Sequence, residues 1–356
     1  MRLLNFLFLF FLLCGCNSET KQIDKIQLKF LDEYVLPNDL YVDSTLVGGL
    51  SGIDFHSGQY YIVCDDSKNP RFYKANISFS NYGFDTIQLN TVITLRKFDT
   101  FLDLESLVVD SVSNEILLVN EGKIKQGIDP SFFSVNEQGE FMNEFKIPQY
   151  FQASGKQRPR DNGVFEGLSR DFNNHGYWIA TELPLKADGP KPKFTETNSP
   201  VRFTYFNKEK ETTKQFAYLL DRVGKKPLGG FSVNGVTDVL AYAPNKLLII
   251  ERSYSSGYEN QANVIKLYSV DYGKAVNTIN YNILTRENYY PVKKELIFDF
   301  ETVLEQLTNK SIDNIEGLCF GPILPNGNKS IILISDNNFN KDKNQINQFI
   351  LMEVLD

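Results

Sequence analysis

The sequence predicts an all-β fold, a β-propeller with five four-stranded blades. Three observations favour it. One strand pattern recurs five times, the turn residues inside each repeat suit a β-hairpin, and a strand near the start of the chain can complete the last blade. The chain has 356 residues, a length that allows one large all-β domain or two ordinary domains. Of these residues 42% are hydrophobic and 23% are charged, which is ordinary for a globular protein.

Each repeat begins with an anchor, a small or acidic residue beside Gly, Ser or Asp. An apolar strand, a turn, a second apolar strand and an acidic end follow it. The five anchors are Ser51, Glu105, Glu166, Thr237 and Glu316. Gly, Asn or Pro occupies each turn, which is typical of hairpins. Two further strand-like stretches follow most hairpins, so the unit has the four strands of a propeller blade.

The last repeat supplies only three strands, the third of which begins at Asn347. A strand beginning at Ile26 can supply the fourth, which closes the ring and protects its edges. Long intervals after the third and fourth anchors leave six blades as the alternative. A pair of β-sandwiches is a rival fold, but it would not need the same acidic signature five times.

The start of the chain predicts export. Arg2 precedes an apolar run at residues 6–13 that is too short to span a bilayer and suits a signal peptide. Gly15 before Cys16 resembles a bacterial lipobox, which implies that Cys16 is lipidated. We therefore expect a signal peptide at 1–15, a lipidated linker at 16–25 and a propeller domain at 26–356. By analogy, Asn17 favours the outer membrane, and the alternative is simple cleavage and secretion.

Besides the lipidated Cys16, the expected mature chain has two cysteines, Cys64 and Cys319, both in apolar strand-like runs. Two buried, unpaired thiols are one interpretation. Because the repeats put them in neighbouring blades and an exported protein can be oxidised, a disulfide is the other.

The repeats also predict that acidic side chains meet at one rim of the ring. In an antiparallel hairpin, the start of the first strand lies beside the end of the second. The predicted cluster comprises Glu105, Glu166 and Glu316 near the axis, with Asp65, Asp66, Glu121, Glu182, Glu251 and Asp336 beside them. Such carboxylates repel one another unless a cation, protons or basic groups such as Arg252 and Arg71 neutralise them. The alternative is that the acids are turn formers or solvated rim residues.

Oxygen ligands of this kind favour Ca²⁺, with Mg²⁺ as the alternative, and the expected metal ligands are Glu121, Glu182, Glu251 and Asp336. Zinc is not expected, because the two histidines of the chain, His56 and His175, lie in turns away from this rim. A net charge of −7 without a basic cluster argues against nucleic acid as a partner.

Several linked motifs resemble the phytase-like family described as "esterase-like activity of phytase". They are FEGLSRD from Phe165, LLIIERSY from Leu247, NIEGLCFGP from Asn314 and the terminal DNNF from Asp336. The resemblance covers residues 46–355 and implies phosphoester hydrolysis. Carried over by motif, the family's acidic positions are Glu105, Glu166, Glu182, Glu251, Glu316 and Asp336. The first and fourth repeats have Ser51 and Thr237 as anchors, so these two blades lack the carboxylate at the first position of the motif.

These observations lead to one main hypothesis, a monomeric metal-assisted hydrolase of a small phosphorylated or ester substrate. The expected catalytic residues are Glu166, Glu316 and Glu105, with Glu166 or Glu316 as the general base. The expected substrate-binding residues are Arg252, Asn162 and Asn337. A lactonase-type propeller hydrolase and a non-catalytic surface-binding propeller are the alternatives. Neither a G-x-S-x-G elbow nor a P-loop occurs in the sequence.

Overall fold

The computed structural model describes residues 25–96, 98, 100–155, 158–195, 198–340 and 345–355. The predicted signal peptide and the lipidation site Cys16 lie outside these residues. Within the described part of the chain, no helix has the length and apolar character needed to cross a membrane.

The chain forms five four-stranded antiparallel sheets, which confirms the five-bladed propeller and excludes the six-bladed alternative. Before the first blade come β1 (Gln27–Leu36) and a ribbon of β2 (Tyr41–Val42) and β3 (Thr45–Leu46). Blade 1 comprises β4 (Leu50–His56), β5 (Gln59–Cys64), β6 (Arg71–Ser80) and β7 (Gly83–Thr94). Blade 2 comprises β8 (Leu104–Val109), β9 (Ile116–Asn120), β10 (Ser131–Val135) and β11 (Phe141–Phe145).

Blade 3 comprises β12 (Phe165–Arg170), β13 (Gly176–Thr181), β14 (Pro200–Asn207) and β15 (Thr212–Leu219). Blade 4 comprises β16 (Ser232–Ala243), β17 (Lys246–Ser255), β18 (Asn263–Asp271) and β19 (Lys294–Asp299). Blade 5 comprises β20 (Ile315–Phe320), β21 (Ser330–Ser335), β22 (Asn347–Leu355) and the N-terminal β1. Short 3₁₀ turns lie at Ile124–Gln126, Gln149–Phe151, Phe300–Thr302, Leu304–Gln306 and Thr308–Lys310.

The ring closes as predicted, because β1 pairs along its length with β22 and becomes the outer strand of blade 5. The inner strands β4, β8, β12, β16 and β20 contact one another in that order, and β20 contacts β4. No innermost strand is therefore left at an open edge of the ring.

Five hydrophobic clusters hold the blades together, one between each pair of neighbouring blades. Each blade is thus buried on both faces, which explains why its inner strands are nearly continuous apolar runs instead of alternating ones. Cys64 and Cys319 lie in the same cluster, between blades 5 and 1, and both are buried free thiols. The structure thus has the unpaired thiols and not the disulfide.

The inner strands approach one another very closely around the axis, and the residue after each anchor lies at the contact. A Cβ on Gly52 would be 2.8 Å from the Cα of Ser106, and one on Gly317 would be 2.9 Å from the Cα of Gly52. A Cβ on Gly167 would be 2.9 Å from the Cα of Asp238. The Gly of each Glu-Gly-Leu motif is therefore needed for packing at the axis.

Asp238 binds three other inner strands at this narrow point. Its carboxylate accepts hydrogen bonds from the backbone N–H groups of Leu168 at 3.1 Å and Leu318 at 2.9 Å, and from the hydroxyl of Ser106 at 3.4 Å. Asp54 adds a second link, since it accepts from the backbone N–H of Val109 and pairs with the guanidinium of Arg170. These buried acids join blades across the axis.

We predict that Gly52→Ala destabilises the fold by about 1–3 kcal/mol, because the new methyl group would overlap backbone atoms that cannot move freely. Urea unfolding followed by circular dichroism measures the change. Gly230→Ala is the control, since a Cβ there meets no atom within 4 Å and its backbone is not left-handed. Equal stability of Gly52→Ala and the control would contradict this account of the axis.

Candidate functional site

The five anchors form an inner ring at one rim of the propeller. In every blade the pairing between the inner strand and its neighbour is irregular at the anchor, as between Leu50 and Gly52 or between Ile315 and Gly317. Such a β-bulge redirects the extra residue away from the regular ladder. The inner ring is Ser51, Glu105, Glu166, Thr237 and Glu316.

An outer ring lies beside the inner ring, at the residues that directly follow the second strand of the hairpin in four of the blades. Leu50 pairs with Cys64, Leu104 with Asn120, Phe165 with Thr181 and Ile315 with Ser335. The residues that follow these partners are Asp65, Glu121, Glu182 and Asp336. Hairpin geometry therefore places one acid from each of four blades at the rim, as predicted.

Blade 4 differs, and the predicted position of Glu251 beside the inner ring is wrong. In this blade Val236 pairs with Glu251, so Arg252 is the residue that takes the outer-ring position. Thr237 and Glu251 are as far apart in sequence as Ser51 and Asp65, but β16 has a second bulge between Ala241 and Ala243 that adds one residue. Because successive strand residues face opposite ways, Glu251 faces away from the rings.

Glu251 instead lies in a separate cavity of about 810 Å³ between blades 3 and 4. Its carboxylate accepts hydrogen bonds from the Tyr218 hydroxyl at 2.5 Å and the Asn234 amide at 2.7 Å, and it pairs with Lys294. These partners satisfy the charge of Glu251 within the protein, so it has a structural environment and not that of a free ligand.

The acids of the two rings and Arg252 line a central cavity of about 1220 Å³. Sequence reasoning missed two of its residues, Asp103 and Asn314, each two positions before an anchor. Both residues precede their strands, which begin at Leu104 and Ile315, so strand periodicity gives no signal for them. The rings and Asp103 contribute eight carboxylates, and Asp313 and Glu259 add two more. Arg252 and Lys191 are the cations that line the cavity among the described residues.

Crowding and burial make these carboxyl groups weak acids. Burial is the main cause in each case. It raises the pKa of Glu121 to about 8 and that of Glu316 to about 7, with neighbouring acids such as Glu182 adding to both. Burial and the other acids likewise raise the pKa of Glu105 and Glu166 well above the usual range for glutamate. Without a bound cation, part of the cluster is therefore protonated at neutral pH.

Arg252 is held between acids of two other blades. Its guanidinium donates to Glu182 at 3.0 Å and to Glu316 at 2.6 Å, and it also contacts the amide oxygen of Asn314. Asn314 donates in turn to Glu316 at 2.8 Å. Arg252 therefore orients two carboxylates and lowers their pKa relative to burial alone.

Three acids of blade 2 form the tightest group. One carboxylate oxygen each of Asp103, Glu105 and Glu121 lie within 4.8 Å of one another. Glu121 also accepts a hydrogen bond from the backbone N–H of Gly163 at 2.8 Å, which fixes one of its oxygens. An oxygen-only donor set of this size suits a hard divalent cation.

Of the other predicted site residues, some line the central cavity and some do not. Asn162 lines the central cavity, but Asn337 does not, so the prediction of a substrate contact for Asn337 is not supported. The side chain of Asn337 turns back to accept from the backbone N–H of Phe339 at 3.1 Å. Asp66 and Arg71 pair with each other at 2.8 Å and also remain outside the cavity.

Fold and site together define a five-bladed propeller with a buried acidic cluster at one mouth of its axis. The chain belongs to the phytase-like family described as "esterase-like activity of phytase", whose sequence model matches residues 45–339. This confirms the family resemblance of the repeat motifs. No curated protein matches the sequence.

The fold is also similar to several solved structures. A thermostable family-43 glycoside hydrolase has 9% identity and a TM-score of 0.48, over 87% of this chain and 90% of that chain. The glutaminyl cyclase of Myxococcus xanthus has 11% identity and a TM-score of 0.40, over 93% and 98%. An α-L-arabinofuranosidase of Podospora anserina has 10% identity and a TM-score of 0.39, over 93% and 97%. No activity follows from similarity at this level.

We predict that the metal-free protein loses stability as the pH rises from 6 to 8. The folded carboxyl groups have raised pKa values, up to about 8 for Glu121, whereas unfolded ones titrate near pH 4. The folded state therefore binds more protons across this interval, and raising the pH favours unfolding. In the presence of a chelator, the unfolding temperature of the protein at pH 8 should lie at least about 4 °C below its value at pH 6.

Glu121→Gln is the matched variant for this measurement, because it keeps the shape of the side chain but cannot ionise. Its unfolding temperature should fall less between pH 6 and pH 8 than that of the wild type. An unfolding temperature that stays constant or rises over this interval would show that the acids are not buried against one another as described.

Proposed function

We propose that this protein is a metal-dependent phosphoester hydrolase whose divalent cation binds at Asp103, Glu105 and Glu121. The observation that carries the proposal is the convergence of these three carboxylates beside a large cavity that other acids line. The donors are hard oxygens, which favour Ca²⁺, with Mg²⁺ as the alternative. Glu105, which the sequence suggests as a catalytic group, is thereby reassigned to the metal.

The charge of the cavity supports a cation. Ten acidic residues line the cavity together with the cations Arg252 and Lys191, and Arg252 is already paired with two of the acids. A phosphate group would be repelled from such a surface unless its charge were balanced. A bound divalent cation would coordinate phosphate oxygens and lower the pKa of a water molecule bound to it.

The remaining residues have separate parts in this proposal. Glu316 is suited to act as general base, because its pKa of about 7 lies near the working pH and Arg252 and Asn314 fix its position. Glu166 lies close enough to Glu182, Glu121 and Glu316 for their charges to raise its pKa, and it is the second candidate base. Asn162 at the cavity wall can donate to a substrate oxygen.

The metal site and the base can be tested separately. Glu121→Gln should abolish tight Ca²⁺ binding in isothermal titration calorimetry, since it removes a charged ligand. Glu316→Gln should retain Ca²⁺ binding but lower kcat for nitrophenyl phosphate by about 10²–10⁴-fold. Glu209→Gln, at an exposed position outside the central cavity, is the control and should change neither quantity.

Negligible turnover of phosphoesters with Ca²⁺ or Mg²⁺ would contradict the proposal. Turnover of lactones in their place would favour a lactonase-type hydrolase. Ca²⁺ binding without turnover of any ester would favour a binding propeller.

We further propose that the protein is exported as a monomer and attached to the outer membrane through lipid on Cys16. The support for export and lipidation is the sequence alone, a short apolar run at residues 6–13 that Gly15-Cys16 follows closely. In a bacterial host, Cys16→Ser should abolish labelling with a radioactive fatty acid and release the protein from membranes. Cys14→Ser is the matched control and should remain labelled. An unlabelled wild-type protein in the soluble fraction would support simple secretion.

A further inference from the structure

The fourth blade carries an extension that stands above the rim of the central cavity. Strand β16 has 12 residues, whereas the inner strands of the other blades have 6 or 7. The extra length precedes the anchor, since β16 begins at Ser232 and its anchor is Thr237. In the other blades the anchor is the second residue of the strand.

The two faces of this extension differ in chemistry. Val233 pairs with Tyr254, and both line the central cavity. The next pair, Asn234 and Ser253, lines the separate cavity between blades 3 and 4. Alternation along the two strands thus gives the central cavity an apolar, aromatic wall above its acidic floor.

Phe231 completes this wall. Its side chain is 55% exposed, lines the central cavity and lies with its ring centre 6.0 Å from that of Tyr254. An exposed Phe ordinarily has no structural role, but the backbone of Phe231 is fixed by hydrogen bonds. The N–H of Phe231 donates to the Ser256 hydroxyl at 3.0 Å, and its carbonyl accepts from the Ser256 N–H at 2.9 Å. The ring is therefore presented at the mouth by a fixed backbone.

Free amide groups surround the same mouth. The amide oxygen of Asn263 is buried and has no hydrogen-bond partner among the described residues. Asn263 pairs with Tyr254 across the ladder, so the two side chains share the face that lines the cavity. Three exposed asparagines, Asn260, Asn309 and Asn338, also line the mouth, and no described residue binds their side-chain amides.

We propose that the mouth of the central cavity binds a sugar ring, with Phe231 and Tyr254 against one face of the ring and Asn263 bound to a hydroxyl group. The negative face of an aromatic ring attracts the weakly positive C–H bonds of a sugar. Amides can both donate to and accept from hydroxyl groups, and a rotation of the Asn263 side chain would bring its unpaired oxygen to such a partner. This inference deepens the proposed function, since it makes the substrate a sugar phosphate.

Binding can be measured without metal or catalysis. In a chelator, saturation-transfer difference NMR with a panel of methyl hexopyranosides should show transfer to the ring C–H protons of at least one glycoside. Phe231→Ala should weaken that binding about tenfold, and Asn263→Ala should also weaken it. Phe172→Ala, at a 44% exposed Phe in the hairpin turn after β12, is the control and should bind as the wild type does. No transfer from any glycoside, or equal transfer in Phe231→Ala, would overturn the proposal.

Kinetics separate this inference from the proposed function. If phosphoesters are hydrolysed, Phe231→Ala should raise KM for glucose 6-phosphate about tenfold and leave KM for methyl phosphate unchanged. A larger loss with nitrophenyl phosphate than with the sugar phosphate would show a general aromatic platform and refute the sugar assignment. Glycoside binding without hydrolysis of any phosphate would uphold the inference while the proposed function fails.

Discussion

The close approach of five inner strands around one axis is the constraint on which the rest of the structure depends. Where the Cα atoms of neighbouring strands nearly touch, only Gly or a short polar residue can follow the anchor, and Gly52, Gly167 and Gly317 occupy three of the five places. Asp238 and Ser106 occupy the other two and use their side chains to join strands across the axis. The recurring Glu-Gly-Leu motif therefore reflects packing as much as chemistry.

The same constraint places the acids. A bulge at each anchor directs its side chain out of the ladder, and the neighbouring strand ends beside it. Three blades use both arrangements to bring two carboxylates each to a buried rim, and blade 1 adds Asp65 from its outer position. Burial raises the pKa of these acids. Folding alone would not favour such a cluster, and the cost is consistent with a site that is completed by a cation.

Much of this could be predicted from the sequence, because hairpin periodicity fixes which residues share a rim. The five blades, the closure by β1 and the convergence of Glu105, Glu166 and Glu316 all follow from that periodicity. The position of Glu251 could not be predicted, because the spacing between Thr237 and Glu251 does not reveal the second bulge in β16. One extra residue reverses the face on which the following side chains lie. Asp103 precedes β8, where strand periodicity does not apply, and the hydrogen bond that holds the side chain of Asn337 depends on local backbone geometry.

The second bulge in β16, which turns Glu251 away from the rings, also makes the site asymmetric. It puts Arg252 where the other four blades have an acid, so one cation lies within the outer ring and binds Glu182 and Glu316 on either side. Among the described residues no arginine pairs with the three acids of blade 2, and these acids form the candidate metal site. Blade 4 thus orients the acids that could act on a substrate, while its extension adds the aromatic wall above them. A symmetric ring of five identical blades could bind a cation, but it would not distinguish one side of a substrate from the other.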